Sequence, residues 1–161
     1  MATESQRFAL ARSALGSDIS HSAPALFAYG SLLLDEVIAA LLGRVPEHER
    51  VKAPGYRVSK LPDQPYPGLV RDVSSEAQGR IYWGLSSKEW AILDAFENSL
   101  YEVQVVMLDD GRKALAYVWT EDLLKGAAGW TTDFMTGAVL GDYLKWTRAW
   151  RKGYDEQPET S

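Results

Sequence analysis

Carboxylates are the side chains in this sequence with the clearest potential for chemistry, because the other common catalytic groups are scarce. The chain has no cysteine and two histidines, and both His21 and His48 lie in polar segments. A Ser-His-Asp triad, a thiol nucleophile or a zinc site is therefore not expected. The sequence also lacks a glycine-rich phosphate loop followed by Lys and a dinucleotide fingerprint. Proton transfer by Asp or Glu is the chemistry that remains.

The start of one helix is unusually well specified. Ser86 and Glu89 have the spacing of a capping box, in which each side chain bonds the backbone N–H of the other residue. Leu85 and Trp90 stand at the two positions of a hydrophobic staple around the same start. A helix is therefore predicted to begin after Ser86, and its register can be followed along the chain.

Glu97 is the carboxylate that this register singles out. At about 100° per residue, Glu97 falls between Trp90 and Leu93 on the buried face, whereas Asp94 is rotated toward solvent. Burial favours the neutral form of a carboxyl group, raising its pKa toward the range useful for general acid/base catalysis. A second interpretation stays open, in which Glu97 turns outward at the helix end or pairs with an arginine such as Arg80.

Tyr29-Gly30-Ser31 forms the second candidate site, because it follows an apolar run and precedes a predicted helix. A strand that passes through Gly-Ser into a helix exposes successive backbone N–H groups. Such groups can bind a carboxylate or a developing oxyanion. The same residues also fit an ordinary tight turn with a capping serine, and both interpretations remain open.

A largely antiparallel sheet is the predicted scaffold for these residues. Strands are expected where runs are apolar or alternating and are bounded by turn residues, at 25–29, 55–60, 79–85, 101–108 and 113–119. Asp109-Asp110-Gly111 is a strong hairpin signal between the last two strands. The prolines of residues 61–68 predict a loop.

Helices are predicted around the sheet at 35–42, where Gly43 follows, and from about 133 to 151. In the second of these, apolar residues recur at steps of three and four, namely Met135, Val139, Tyr143, Trp146 and Trp150. A stripe of this kind is typical of core packing.

Composition places these elements in one domain. With 161 residues, 46% of them hydrophobic, the chain is long enough for a single core. We expect that domain at 24–152, with a flexible tail at 1–23 and a polar tail at 153–161; the alternative for 1–23 is a targeting segment.

The charge and hydropathy of the chain restrict the kinds of partner and the location that are expected for it. A net charge of -5 and no basic run argue against nucleic acid as a partner. Neither a membrane-spanning stretch nor a secretory signal is recognisable, so a soluble, cytoplasmic protein is expected.

The two candidate sites belong to a larger pattern that resembles the gamma-glutamylcyclotransferase-like family, including its avirulence-induced branch. Phe27-Ala28-Tyr29-Gly30-Ser31-Leu32 resembles the N-terminal motif of that family. Three further matches follow in the family's order: Tyr66-Pro67-Gly68-Leu69, then Gly79-Arg80-Ile81-Tyr82, then Leu93-Asp94-Ala95-Phe96-Glu97 with Tyr101. The resemblance covers residues 25–120 and depends on the order and spacing of the motifs.

The resemblance implies an α+β fold, with a small mixed, barrel-like sheet and flanking helices, and no metal or organic cofactor. It implies that Glu97 is the acid/base, and that the substrate is bound by Tyr29, Gly30, Ser31, Leu32 and Tyr101. The implied substrate is a small gamma-glutamyl compound. Its alpha-amino group attacks its own side-chain carbonyl, which gives 5-oxoproline and releases an amine or amino acid.

This sequence departs from the family pattern at two places. Asn98 follows Glu97 where many relatives have Gly, and Tyr101 is followed by Glu102-Val103 where they have a nearby Arg. Two alternatives therefore accompany the cyclotransferase hypothesis. One is a tailoring enzyme of the same family, an acyltransferase that transfers or removes a gamma-glutamyl group, and the other is a non-catalytic ligand-binding or stress-response module.

Overall fold

The computed structural model describes residues 24–61, 66–97, 100–119 and 129–156. Five strands are present in this part of the chain: β1 (Leu26–Ala28), β2 (His48–Lys60), β3 (Pro67–Tyr82), β4 (Tyr101–Met107) and β5 (Lys113–Trp119). Three helices accompany them: α1 (Asp35–Leu42), α2 (Ser87–Phe96) and α3 (Gly137–Glu156). Short 3-10 turns cover Ser31–Leu33 and Thr132–Phe134. The predicted tail at 1–23 lies outside the described residues.

The strands form one mixed sheet in the order β2-β3-β1-β5-β4, with an additional pairing between β3 and β5. The pairs β2–β3, β3–β1 and β4–β5 are antiparallel, and β5 is parallel to β1 and β3. The predicted α+β fold with a mixed, largely antiparallel sheet is therefore confirmed, although the described strands do not close into a barrel.

Strand β1 lies in the middle of the sheet. All three of its residues are buried, and Leu26 pairs with Tyr82 on one side and with Leu115 on the other. This double pairing fixes the short strand firmly. The turn that follows it is held in a defined place at the end of the strand.

The long hairpin of β2 and β3 differs most from the sequence prediction. Pairing runs from His48 opposite Tyr82 to Lys60 opposite Pro67, so both strands begin well before the predicted 55–60 and 79–85, and β3 ends at Tyr82. Polar residues and Pro54 interrupt the alternation of apolar residues from which strands of this length could be predicted. The register shifts beside Pro54, where residues 72–75 have no partner in the pairing of β2 with β3. The predicted loop 61–68 was also too long, because a proline is tolerated as the first residue of a strand, and β3 begins at Pro67.

Helix α2 begins as its sequence predicts. The Ser86 hydroxyl accepts a hydrogen bond from the Glu89 N–H at 3.1 Å, and the Glu89 carboxylate accepts one from the Ser86 N–H at 3.0 Å. Leu85 and Trp90 are both buried in the core, and the indole N–H of Trp90 donates to the Pro24 carbonyl at 3.1 Å. The capping box is confirmed, and both staple residues are buried.

Helix α3 begins and ends later than predicted. A 3-10 turn occupies Thr132–Phe134, and the helix runs on to Glu156, so the first residues of the predicted tail at 153–161 are helical and residues 157–161 lie outside the described part. The Arg151 side chain donates to the Leu41 carbonyl at 2.7 Å, which ties α3 to the end of α1.

The apolar stripe of α3 is only partly a core surface. Tyr143 is buried, but Val139 and Trp146 are 47% and 51% exposed. The expectation that the whole stripe packs into the core was therefore wrong, because Trp146 lines a cavity and Val139 is exposed at the surface. Within the described ranges, no helix is long and apolar enough to cross a membrane.

Candidate functional site

A cavity of about 240 Å³ lies at the end of β1. It is enclosed by the Ser31–Leu33 turn, the end of α2, the first residues of β3 and β4, and α3. Its lining residues are Leu26, Phe27, Ala28, Tyr29, Gly30, Ser31, Leu32, Tyr66, Pro67, Phe96, Glu97, Tyr101, Tyr117, Tyr143 and Trp146. The cavity thus brings together all six residues that the sequence singled out: Glu97, Tyr29, Gly30, Ser31, Leu32 and Tyr101.

The first residues of the turn after β1, Gly30, Ser31 and Leu32, line the cavity. Its internal hydrogen bonds run from the Leu33 N–H to the Gly30 carbonyl at 2.9 Å and from the Leu34 N–H to the Ser31 carbonyl at 3.0 Å. Among the described residues, the N–H groups of Gly30, Ser31 and Leu32 make no such backbone bond. Successive backbone N–H groups that are not used within a turn are the kind of donor that can bind an anion.

Gly30 is required in this turn by close packing. Its φ of -121° is one that other residues adopt. A Cβ at this position would lie 2.8 Å from Cγ and 2.9 Å from Cδ of Pro67. Because Pro67 also lines the cavity, the absence of a side chain at Gly30 sets how closely two walls of the cavity approach each other.

Hydroxyl groups fix the aromatic walls of the cavity. The Tyr29 hydroxyl donates to the Tyr117 carbonyl at 2.5 Å, and the Tyr101 hydroxyl donates to the Pro67 carbonyl at 2.6 Å. A third bond, 2.9 Å long, joins the hydroxyl groups of Ser31 and Tyr143. The rings of Tyr29 and Tyr101 are therefore held by bonds to the backbone, and that of Tyr143 by its bond to Ser31.

The phenols around the cavity stay protonated over a wide pH range. Burial is the main cause that raises the pKa values of Tyr29, Tyr101 and Tyr143 well above the ordinary value. The negative charge of Glu97 raises the pKa of each of the three further. The Ser31 hydroxyl opposes part of this effect at Tyr143 by its hydrogen bond. The Glu97 carboxylate is thus close enough to all three phenols for its charge to act on them.

Glu97 reaches the cavity by a different route from the one predicted. Helix α2 ends at Phe96, and Glu97 is its half-buried C-cap, with φ of -73° and ψ of 141°. Its N–H still donates to the Leu93 carbonyl at 3.1 Å. The extrapolated helical register was therefore wrong for this residue, because the backbone leaves helical geometry at Glu97, which nevertheless lines the cavity.

The position of Asp94 also differs from the one that the helical register predicts. The register placed it toward solvent, but it is half-buried, and its carboxylate accepts a hydrogen bond from the Tyr117 hydroxyl at 2.9 Å. The ring of Tyr117 lines the cavity. Asp94 therefore supports a wall of the site and is no solvent-exposed control for Glu97.

Arg80, the arginine considered as a partner of Glu97, pairs elsewhere. Its guanidinium donates to the Asp35 carboxylate at 2.7 Å, at the start of α1.

In the described part of the chain, no cluster of His, Asp and Glu has the composition of a metal site.

Several cavity residues could not be assigned from the sequence. The sequence indicates Tyr66 and Pro67 only as part of a motif, and the apolar stripe predicts core packing for Tyr143 and Trp146. The bond from Ser31 to Tyr143 spans 112 positions of the chain. The one signal for these two residues was the aromatic stripe on α3, which does not distinguish a cavity wall from a core.

Comparison with protein families agrees with this fold. The chain belongs to the gamma-glutamyl cyclotransferase, AIG2-like family, whose model matches residues 26–134. The predicted resemblance to that family is thereby confirmed.

Curated relatives and solved structures include several plant proteins. AIG2-like protein D of Arabidopsis thaliana is 31% identical over 102 residues, which are 60% of this chain and 67% of the relative. AIG2-like protein C of the same plant is 34% identical over 99 residues, 58% of each chain. The chain therefore matches between 58% and 67% of the length of these two relatives.

Solved structures share the fold over most of the chain. The solution structures of two Arabidopsis thaliana proteins have TM-scores of 0.57 and 0.58 at 27% and 25% identity. They cover 86% and 89% of this chain, and 89% and 99% of their own. A structure described as a gamma-glutamyl cyclotransferase has a TM-score of 0.52 at 14% identity, over 86% of this chain and 90% of its own. At that identity the likeness concerns the fold alone.

Proposed function

We propose that the protein is a cyclotransferase that converts a gamma-glutamyl compound to 5-oxoproline and an amine or amino acid, with Glu97 as its general acid/base. One observation carries the proposal. Glu97 and the turn Tyr29-Gly30-Ser31-Leu32 line the same cavity, although they lie far apart in sequence. Membership of the gamma-glutamyl cyclotransferase, AIG2-like family supports the same chemistry.

The reaction is an intramolecular acyl transfer that needs neither water nor a redox partner. The alpha-amino nitrogen of the glutamyl group attacks the gamma-carbonyl carbon, and a new C–N bond closes the five-membered ring. The bond from that carbon to the leaving nitrogen then breaks. Glu97 takes the proton from the attacking nitrogen and returns it to the leaving nitrogen, so that atoms and charge balance.

The turn after β1 supplies the complementary part of the site. Among the described residues, the amides of Gly30, Ser31 and Leu32 donate no hydrogen bond to a backbone carbonyl within or around the turn. They are the groups that we assign to orienting the glutamyl carboxylate and to stabilising negative charge on the carbonyl oxygen. Positioning of this kind strongly favours a ring closure, because both reacting groups belong to one molecule.

The remaining walls suit a small, rigid binding pocket. The cavity of about 240 Å³ is smaller than the pockets of roughly 300–1,000 Å³ that hold drug-sized ligands. Tyr29 and Tyr101 donate their hydroxyl protons to backbone carbonyls. We therefore assign these two residues to shaping the pocket around the substrate, with Glu97 as the proton carrier.

A panel of gamma-glutamyl compounds tests the proposal. We expect the purified protein to release 5-oxoproline and the free amine in equal amounts from at least one member. Gamma-glutamyl transfer to an added amine, without 5-oxoproline, would instead support the tailoring enzyme. No reaction with any member, combined with measurable binding, would replace the enzyme hypothesis with a ligand-binding module.

A further inference from the structure

An aromatic surface at the rim of the cavity has no part in the proton transfer assigned to Glu97. The ring of Trp146 contacts those of Phe96 and Tyr143, at centroid distances of 5.4 and 5.7 Å. All three side chains line the cavity, and Trp146 is nevertheless 51% exposed. A large ring held in place by two others and half open to solvent provides a platform for a flat, apolar part of a ligand.

The charges of the residues that line the cavity also affect which leaving group can bind. Among the described lining residues, Glu97 carries the one formal charge, and none is Lys, Arg or His. Lys60, opposite Pro67 in the sheet, has its ammonium group 3.8 Å from the centre of the Phe134 ring.

The charges of the cavity lining disfavour a substrate that carries a second carboxylate on its leaving group. The glutamyl group already carries one carboxylate, for which the turn amides are the assigned partners. A leaving group with another carboxylate would meet the negative charge of Glu97 without a cation among the described lining residues. A leaving group without a carboxylate avoids this repulsion.

We infer that the leaving group is an aromatic amine without a carboxylate, such as an arylalkylamine, which packs on Trp146. The inference rests on the proposed cyclotransferase function and adds the class of substrate to it. The bond that breaks joins the gamma-carbonyl carbon to the nitrogen of this amine.

Three substrates separate the two parts of the inference. Gamma-glutamylphenethylamide carries the aryl group alone, gamma-glutamylphenylalanine adds a carboxylate to it, and gamma-glutamylmethylamide has neither. With 5-oxoproline release as the readout, kcat/KM for the phenethylamide should exceed each of the other two values by about tenfold, the size of one aromatic contact or one uncompensated charge.

Variants then assign the selectivity to its residue. Trp146→Ala should lower the ratio of kcat/KM between the phenethylamide and the methylamide by about tenfold, and Trp146→Phe should retain most of that ratio. Val139→Ala is the matched control, because Val139 is exposed on the same helix and does not line the cavity. Its selectivity ratio should equal that of the wild type.

The outcomes distinguish failure of the inference from failure of the proposed function. Equal or faster turnover of gamma-glutamylphenylalanine, or an unchanged ratio in Trp146→Ala, would overturn the aromatic-amine assignment and leave the cyclotransferase function standing. Absence of 5-oxoproline from all three substrates and from the wider panel would overturn the function itself, and the inference with it.

Discussion

Replacing Gly30 by Ala tests whether the approach of two cavity walls depends on a missing side chain. The new Cβ would lie 2.8 and 2.9 Å from the Pro67 ring, whereas carbon atoms pack best at about 3.5–4.0 Å. Pro67 has a closed ring and cannot rotate away. It also begins β3 and accepts the Tyr101 hydroxyl bond. A shift of several tenths of an ångström must therefore pass into the turn or into the sheet.

Overpacking of this kind typically destabilises a protein by about 1–3 kcal/mol. We expect Gly30→Ala to lower the free energy of unfolding by this amount in chemical denaturation. KM for a gamma-glutamyl substrate should rise, because both displaced groups line the cavity.

Gly141→Ala is the matched control for the same change of residue. Gly141 lies within α3, and a Cβ there meets nothing within 4 Å. Alanine is favoured over glycine in a helix by about 0.5–1 kcal/mol, so this variant should be slightly more stable than the wild type. The packing argument is wrong if Gly30→Ala matches the wild type in both stability and KM.

Two further predictions concern stability. Trp90→Ala removes a core ring that is 2% exposed and bonded to Pro24, and it should cost about 3–5 kcal/mol; a loss below about 1 kcal/mol in chemical denaturation would contradict its place in the core. For Tyr29, Tyr101 and Tyr143, the folded-state pKa lies above the unfolded value of about 10. Their contribution to stability is complete below that pH and is lost above it, since the unfolded state then releases protons that the folded state retains. The free energy of unfolding should therefore decrease as pH rises beyond about 10, less steeply in Tyr143→Phe, and a slope equal to the wild type in that variant would refute the assignment.

Local signals explain which parts of the fold were predictable. The capping box of Ser86 and Glu89 and the hairpin signal at Asp109-Asp110-Gly111 each depend on a few neighbouring residues. Helix α2 begins, and the turn between β4 and β5 falls, where these signals place them. The order of the motifs from Phe27 to Tyr101 predicted the family in the same way.

Long-range contacts explain what was missed. The polar segment 69–78 is a strand because β2 pairs with most of it, and no pattern within the segment reveals that partner. Tyr143 becomes part of the cavity only when α3 packs beside the Ser31 turn. Glu97 was assigned to the correct region by an incorrect register, because a helix end is set by backbone geometry that an extrapolated periodicity does not contain.

The rate of 5-oxoproline release by Glu97→Gln tests the central proposal most directly. The substitution keeps the shape of the side chain and removes its ability to accept a proton. Glu102→Gln is the control, since Glu102 is exposed on β4 and does not line the cavity. With the substrate that the wild type turns over fastest, kcat should fall by about 100-fold or more in Glu97→Gln and stay near the wild-type value in Glu102→Gln. A folded Glu97→Gln variant that is as fast as the wild type would contradict the assignment of Glu97 as the acid/base.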